Sequence, residues 1–289
     1  MTITDTTIAP ASFAIRASRV IARARREPGL AIGCSILALL VLVALFPQLF
    51  TSRSPLTVDV GSAFQPPSAA HWFGTDDTGR DVFARVVHGA RVTLSICAGA
   101  LLLSALIGGA LGLISGYIGG KVDLAIGRLA DVILSFPPII LGIVITGVLG
   151  PQTRNLVLAL TLIYVPVFLR IARSGVLTEV NLTYVEAARC LGLSDTAILF
   201  NHVLRNVLPL ITMQYVVLFP LMLQIQAALG FLGLGVQPPM PDWGSILQQG
   251  KDAILFAPWL SIFPGLTILT TSLGLSLIGQ SLQSGIDRR

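Results

Sequence analysis

Long apolar blocks separated by short polar stretches dominate the chain, and the length of the blocks carries the first inference. Charge is rare within 30–50, 92–117, 124–148, 156–171, 208–232 and 258–282. A helix needs roughly 20 apolar residues to cross the hydrocarbon core of a bilayer. The pattern therefore predicts an all-α, polytopic membrane protein with about six transmembrane helices. The polar remainder is a tail over 1–29, a loop over 51–91 after the first span at 30–50, and a short end at 286–289. Five further spans over 92–285 form the core, interrupted by a polar loop at 172–207.

Local signals refine this picture. Gly108, Gly112 and Gly116 recur every fourth residue of the second span, which lets another helix backbone approach closely. Pro137 and Pro138 fall inside the third span, where missing N–H donors predict a kink. In the 51–91 loop, Thr75 or Asp76 is placed to cap an amphipathic helix with Val82, Phe83, Val86 and Val87 on one face. On the fifth span Tyr215, Phe219, Met222 and Gln226 share one stripe, a candidate lining for a pathway, with packing between helices as the alternative. Gln224 points about 160° away from Gln226. Asp123 and Asp131 bracket Arg128 at the start of the third span, and local pairing accounts for them.

Composition agrees with the pattern. Only 11% of residues are charged, against about 25% in soluble domains. The net charge of +5 does not point to nucleic acid, because the arginines cluster beside apolar spans as topology signals do. Arg16, Arg19, Arg23, Arg25 and Arg26 form a basic collar behind a tail without periodicity. With both termini in the cytoplasm, thirteen of the 19 Lys and Arg residues fall inside and six outside, as the positive-inside rule requires. The first apolar block has no cleavage site after it and should remain as a span. Cys34, Cys97 and Cys190 are too scattered for a disulfide framework or a zinc site.

Motifs for chemistry on this chain are missing. The sequence has no phosphate-binding Gly-x4-Gly-Lys-Ser/Thr loop, so ATP binding is not expected, and no His-Glu-x-x-His pair. His71, Asp76, Asp77 and Asp81 are metal-ligand types, but helix caps and solvated carboxylates are the reading preferred here. No metal site is assigned. Intramembrane acids are too few for a proton relay across the bilayer.

The 172–207 loop has its own grammar. Thr183 and Glu186 have the spacing of a capping box, and Gly192 is suited to end the helix they open. Ser194 or Asp195 then caps a second helix to about Asn206. Local physics leaves two readings open, a passive connector or a docking element.

The Glu186-Ala187-Ala188, three residues, Gly192 arrangement resembles the coupling-helix motif of permeases in ATP-binding-cassette (ABC) importers. The run from Phe73 to Leu94 (FGTDDTGRDVFARVVHGARVTL) is similar to the first outer loop of dipeptide, oligopeptide and nickel permeases. Phe231 to Leu247 (FLGLGVQPPMPDWGSIL) is similar to their last outer loop, and both resemble the second of the two permeases in such systems. The resemblance implies a type I ABC-importer permease in a bacterial inner membrane, carrying peptides. It implies that Tyr184, Val185, Glu186, Ala187, Ala188, Arg189, Cys190, Leu191 and Gly192 form the helix that docks on an ATPase. It also implies outer-loop roles for Thr75, Asp76, Asp77, Arg80, Asp81, Pro238, Pro239 and Trp243.

The implied partners are a second homologous permease, two cytoplasmic ATPases that hold ATP and Mg, an external substrate-binding protein, the peptide and membrane lipid. No cofactor is implied on this chain. One departure stands out: the family's His-Ile-Leu-Pro-Asn is His202-Val-Leu-Arg205-Asn206 here, which leaves the second cytoplasmic helix free to continue. Open alternatives are an ion-coupled transporter acting alone, and nickel, glutathione or haem as cargo.

Overall fold

The computed structural model describes residues 28–286. The basic collar, the tail before it and the arginines at 288 and 289 lie outside the described residues. Helix α1 covers Pro28–Leu45 and is followed by a 3₁₀ turn at Pro47–Leu49. The first span thus stops short of the expected residue 50, because Pro47 offers no donor to continue the ladder.

Helix α2 runs without a break over Val82–Ile118, 37 residues. The amphipathic helix expected in the 51–91 loop is not separate; it is the first turns of this rod. Asp81 caps it, accepting from the Ala84 N–H, so the cap falls on neither Thr75 nor Asp76. No proline interrupts 82–118, and at 1.5 Å per residue α2 is about 55 Å long, well beyond a bilayer core.

The third span is broken as its prolines demand. Helices α3 (Gly120–Leu134) and α4 (Pro138–Leu149) meet at 88°. Helix α5 covers Thr153–Glu179, eight residues past the expected end at 171, because Ala172, Gly175 and Val176 continue its buried face. Short helices α6 (Thr183–Cys190) and α7 (Asp195–Ile198) follow, then a π turn at Leu199–Val203 that feeds directly into α8 (Leu204–Phe231). With arginine at 205 in place of proline, 195–231 is one continuous rod. Helices α9 (Trp243–Gly250) and α10 (Trp259–Ile286) complete the described residues. Among these residues there is no strand beyond a single bridge between Thr75 and Asp81.

Five of these helices are long and apolar enough to cross a membrane, and six if the bent α3–α4 pair is one span. The core is the seam between α2 and α5, the most extensive helix contact. A Cβ on Gly108 would stand 2.3 Å from the Val165 carbonyl oxygen, and one on Gly112 would stand 2.4 Å from that of Leu169. The glycines therefore set the distance between the two backbones. Outside the seam, Leu102, Leu106, Ile107, Leu266, Leu269 and Leu273 are exposed. Such a surface needs an apolar surrounding, which lipid or another membrane helix supplies.

The bundle has two distinct ends. At one, the loop after α1 and the segment around α9 both pack on the start of α2: Trp243 donates to the Val86 carbonyl at 2.9 Å. At the other, Tyr117 near the end of α2 donates to Asp195 at 2.7 Å, which places α6 and α7 there. We call these the loop end and the connector end.

Candidate functional site: the connector between α5 and α8

Helix α6 stands on two buried side chains, Val185 and Ala188, and turns Glu186, Ala187, Arg189 and Cys190 outward. Leu191 follows, 80% exposed. An exposed leucine beside small Ala187 makes a close, apolar contact surface. The expected capping box is not formed. Leu182 is the N-cap, and Thr183 is the first helical residue, without a capping hydrogen bond. Glu186 still lies in the first turn, where its charge favours the helix N-terminus.

The far end is built as the sequence implies. Gly192 N–H donates to the Arg189 carbonyl at 2.9 Å and Leu193 N–H to that of Ala188 at 3.2 Å. These are the two bonds of a Schellman motif, with Gly192 at φ +79° in its left-handed position. Ser194 then caps α7 through the Ala197 N–H.

Polar contacts tie this unit to the spans. Tyr184 donates its hydroxyl to Glu179, and Asn206 donates to the same carboxylate at 2.9 Å. Arg173 of α5 holds Asp123 through two bonds of 2.5 and 2.6 Å, with Ser115 also donating to Asp123. Arg170 pairs with Asp131 at 2.7 Å. The local pairing expected with Arg128 is therefore replaced by pairing with α5. Sequence spacing pointed to the nearest arginine, whereas the α3–α5 contact brings two others closer.

The candidate stripe on α8 is buried at Met222 and Gln226 and half-buried at Tyr215 and Phe219. Met222 and Gln226 are fully buried, Gln226 donates to Asp242 at 2.8 Å, and Tyr215 donates to the Ala98 carbonyl at 3.0 Å. Phe219 packs beside Tyr215 with ring centroids 6.1 Å apart. Met222 and Gln226 pack between helices of this chain, while Tyr215 also borders an apolar groove with Leu106, Ile211 and Thr212, so both readings of the stripe stay open. Gln224, on the opposite side, is exposed.

At the loop end most candidates are buried. Asp76 is buried and accepts from Arg80 Nε at 2.7 Å, from the Arg80 and Thr78 N–H groups, and from buried Arg85. It is therefore not a solvated carboxylate. Burial opposes its charge, but Arg85, Arg80 and the backbone donors together hold its pKa below the ordinary 3.8. Arg85 also donates to Gln249 of α9 at 2.7 Å. Thr75 is buried and donates to the Ser62 carbonyl, and Asp81 takes His71 at 2.8 Å besides its capping bond. Trp243 is buried. Asp77, Pro238 and Pro239 are exposed. His71, Asp76, Asp77 and Asp81 belong to no three-ligand cluster among the described residues.

Residues 108–289 match the family described as the binding-protein-dependent transport system inner membrane component. The chain belongs to this family. The match begins at Gly108, the first glycine of the α2–α5 seam, and includes the connector and α9.

This inner membrane component is 41% identical over 256 residues to the dipeptide transport system permease protein DppC of Alkalihalophilus pseudofirmus, covering 89% of this chain and 84% of that relative. It is 35% identical over 252 residues to the probable D,D-dipeptide transport system permease protein DdpC of Escherichia coli, covering 87% and 85%. It is 35% identical over 263 residues to the glutathione transport system permease protein GsiD of Pectobacterium atrosepticum, covering 91% and 87%. The chain is a membrane-embedded permease component of a transport system.

Sequence reasoning missed Glu179, Asn206, Arg85, Asp242 and Gln249 as joining residues. Asp242 is a buried cap that accepts from Thr93, Gln226 and the Ser245 N–H, linking α2, α8 and α9. Its position one residue before a tryptophan helix start carried a capping signal that could have been read.

Proposed function

We propose that the chain is one of two membrane-spanning subunits of an ATP-driven importer for short peptides. The observation that carries the reading is α6: a helix of eight residues, closed by Gly192, that turns Ala187 and Cys190 away from the bundle between charged Glu186 and Arg189, with exposed Leu191 beyond them. A cytoplasmic ATPase docks on that face. On ATP binding, two ATPases close and draw α6 and its counterpart in a second permease together, so that the pathway between the permeases opens to the other side. Shifting a two-state equilibrium from 1:99 to 99:1 takes about 5.5 kcal/mol, which ATP supplies and a passive helix cannot.

This assigns the connector end and both termini to the cytoplasm. The loop end faces outward and receives a substrate-binding protein. The first relatives described are named for dipeptide transport, which supports a peptide as cargo. Glutathione, itself a short peptide, is named for another.

The test is reconstitution. In vesicles the chain alone should neither hydrolyse ATP nor move dialanine, the probe dipeptide. With a second permease, the ATPases and a loaded binding protein, uptake should follow ATP hydrolysis. Dialanine uptake by the chain alone, driven by a proton or sodium gradient, would replace this reading with an ion-coupled transporter.

A further inference from the structure

Three helices meet at one polar contact where the connector leaves the bundle. Glu179 is the last residue of α5, Tyr184 is the second of α6, and Asn206 is the third of α8. Tyr184 donates to Glu179; Asn206 donates to the same carboxylate oxygen at 2.9 Å and to the Tyr184 hydroxyl at 3.0 Å. The triangle is closed, with each residue bonded to the other two. Burial and the Glu179 carboxylate raise the Tyr184 pKa, so the phenol stays protonated as the donor this geometry needs. The His202 ring, in the π turn, lies over Tyr184 at 17° to it, with centroids 6.3 Å apart.

Helix α6 needs such a fixing. Eight residues are too few for a helix to hold itself in water, and only Val185 and Ala188 of them are buried. A force on its outer face would tilt the helix in place unless it is tied to the spans. Two ties exist. The triangle joins α6 to α5 and α8, and the Tyr117–Asp195 bond of 2.7 Å joins α7 to α2.

We propose that Glu179, Tyr184 and Asn206 form the joint that makes α6 move as one body with α5 and α8. Tyr184 and Asn206 are thus positioning residues for transport, since they act through α6 and touch neither ATP nor cargo. The proposal rests on the reading of α6 as the ATPase contact. Loosening the joint leaves the exposed docking face intact, so the ATPases still bind and turn over. What falls is the movement of the spans per ATP. Residues that touch neither ligand alter coupling between sites by roughly 2- to 30-fold in known cases.

The experiment compares uptake of dialanine per ATP hydrolysed in vesicles holding the whole complex, with Tyr184→Phe, Glu179→Ala and Glu179→Gln beside the wild type. Cross-linking from Cys190 to the ATPase is scored in each. Tyr184→Phe and Glu179→Ala should keep the cross-link and the ATP hydrolysis, and lose uptake per ATP within roughly that 2- to 30-fold range. Glu179→Gln keeps an acceptor oxygen in the triangle and should restore the ratio. An unchanged ratio in Tyr184→Phe and Glu179→Ala overturns the joint, and so does a Glu179→Gln as poor as Glu179→Ala, since charge and not geometry would then matter. If the wild type itself gives no Cys190 cross-link, the ATPase reading of α6 fails first, and the joint falls with it.

Discussion

Gly112 of α2 lies against the backbone of Leu169 in α5 so closely that a Cβ there would be 2.4 Å from the Leu169 carbonyl oxygen. No atom can occupy that space without separating the two helices. Neighbouring glycines differ sharply. A Cβ on Gly109 would meet only the end of the Ile211 side chain at 3.3 Å, and one on Gly99 would meet nothing within 4 Å.

The first prediction follows from that contrast. Gly112→Ala should destabilise the detergent-solubilised chain by about 1–3 kcal/mol, the usual cost of forcing an atom into a packed interior. Gly109→Ala should cost less. Gly99→Ala should be neutral or stabilising by up to about 1 kcal/mol, since alanine favours the helix. Thermal unfolding of the three variants gives the order, and equal melting would remove the seam from the account.

The second prediction concerns acid. The native Asp76 pKa is held below its unfolded value of 3.8. Its contribution to stability is therefore fully present above 3.8 and is lost as pH falls through the lower native value. Asp76→Asn leaves Arg85 buried without its carboxylate and should cost about 3–5 kcal/mol at neutral pH. It should also flatten the acid limb of an unfolding profile taken from neutral pH down through 3.8. An acid limb of the same shape in Asp76→Asn would show that other groups carry it.

The third prediction uses the native cysteines. Cys190 is exposed on α6 and Cys97 is buried between helices. A membrane-impermeant maleimide should label Cys190 in inside-out vesicles and not in intact cells, and more slowly with the ATPases bound. Cys97 should remain unlabelled in both. Labelling of Cys190 from the outside would invert the topology.

Much of this architecture was legible because its causes are local. Apolar block length gives the spans, Pro137 and Pro138 break the third, and the glycine spacing gives the face of α2 that meets α5. Gly192 was legible because a left-handed helix end has few other occupants. What was not legible depends on which helices meet. Arg128 is the neighbour of Asp131 in sequence, yet Arg170 holds it across 39 positions. Thr75 and Asp76 read as caps because their types suit capping. In the fold, two arginines and the chain after α1 enclose them, and Asp81 does the capping. The α8 stripe is apolar and amide-bearing whether it faces a pathway or a neighbour, so periodicity alone could not choose.

The final prediction bears on the central claim, that the connector transmits work from ATPases to the spans. Gly192 has φ +79°, and a Cβ placed there meets nothing within 4 Å. A Cβ at 192 therefore meets no neighbour, and the cost of a side chain there starts with backbone strain, roughly 1–2 kcal/mol for an ordinary residue and worse for a β-branched one. Gly192→Val should insert at normal levels, because a Cβ at 192 touches no span, while α6 loses its end and its orientation. Gly192→Asn should be milder, since asparagine tolerates the left-handed region. The deciding measurement is dialanine uptake per ATP hydrolysed by the reconstituted complex carrying each variant. The account predicts a fall for Gly192→Val at normal membrane level, with Gly192→Asn between it and the wild type. Wild-type uptake per ATP from Gly192→Val would contradict it and leave the connector a passive link between spans.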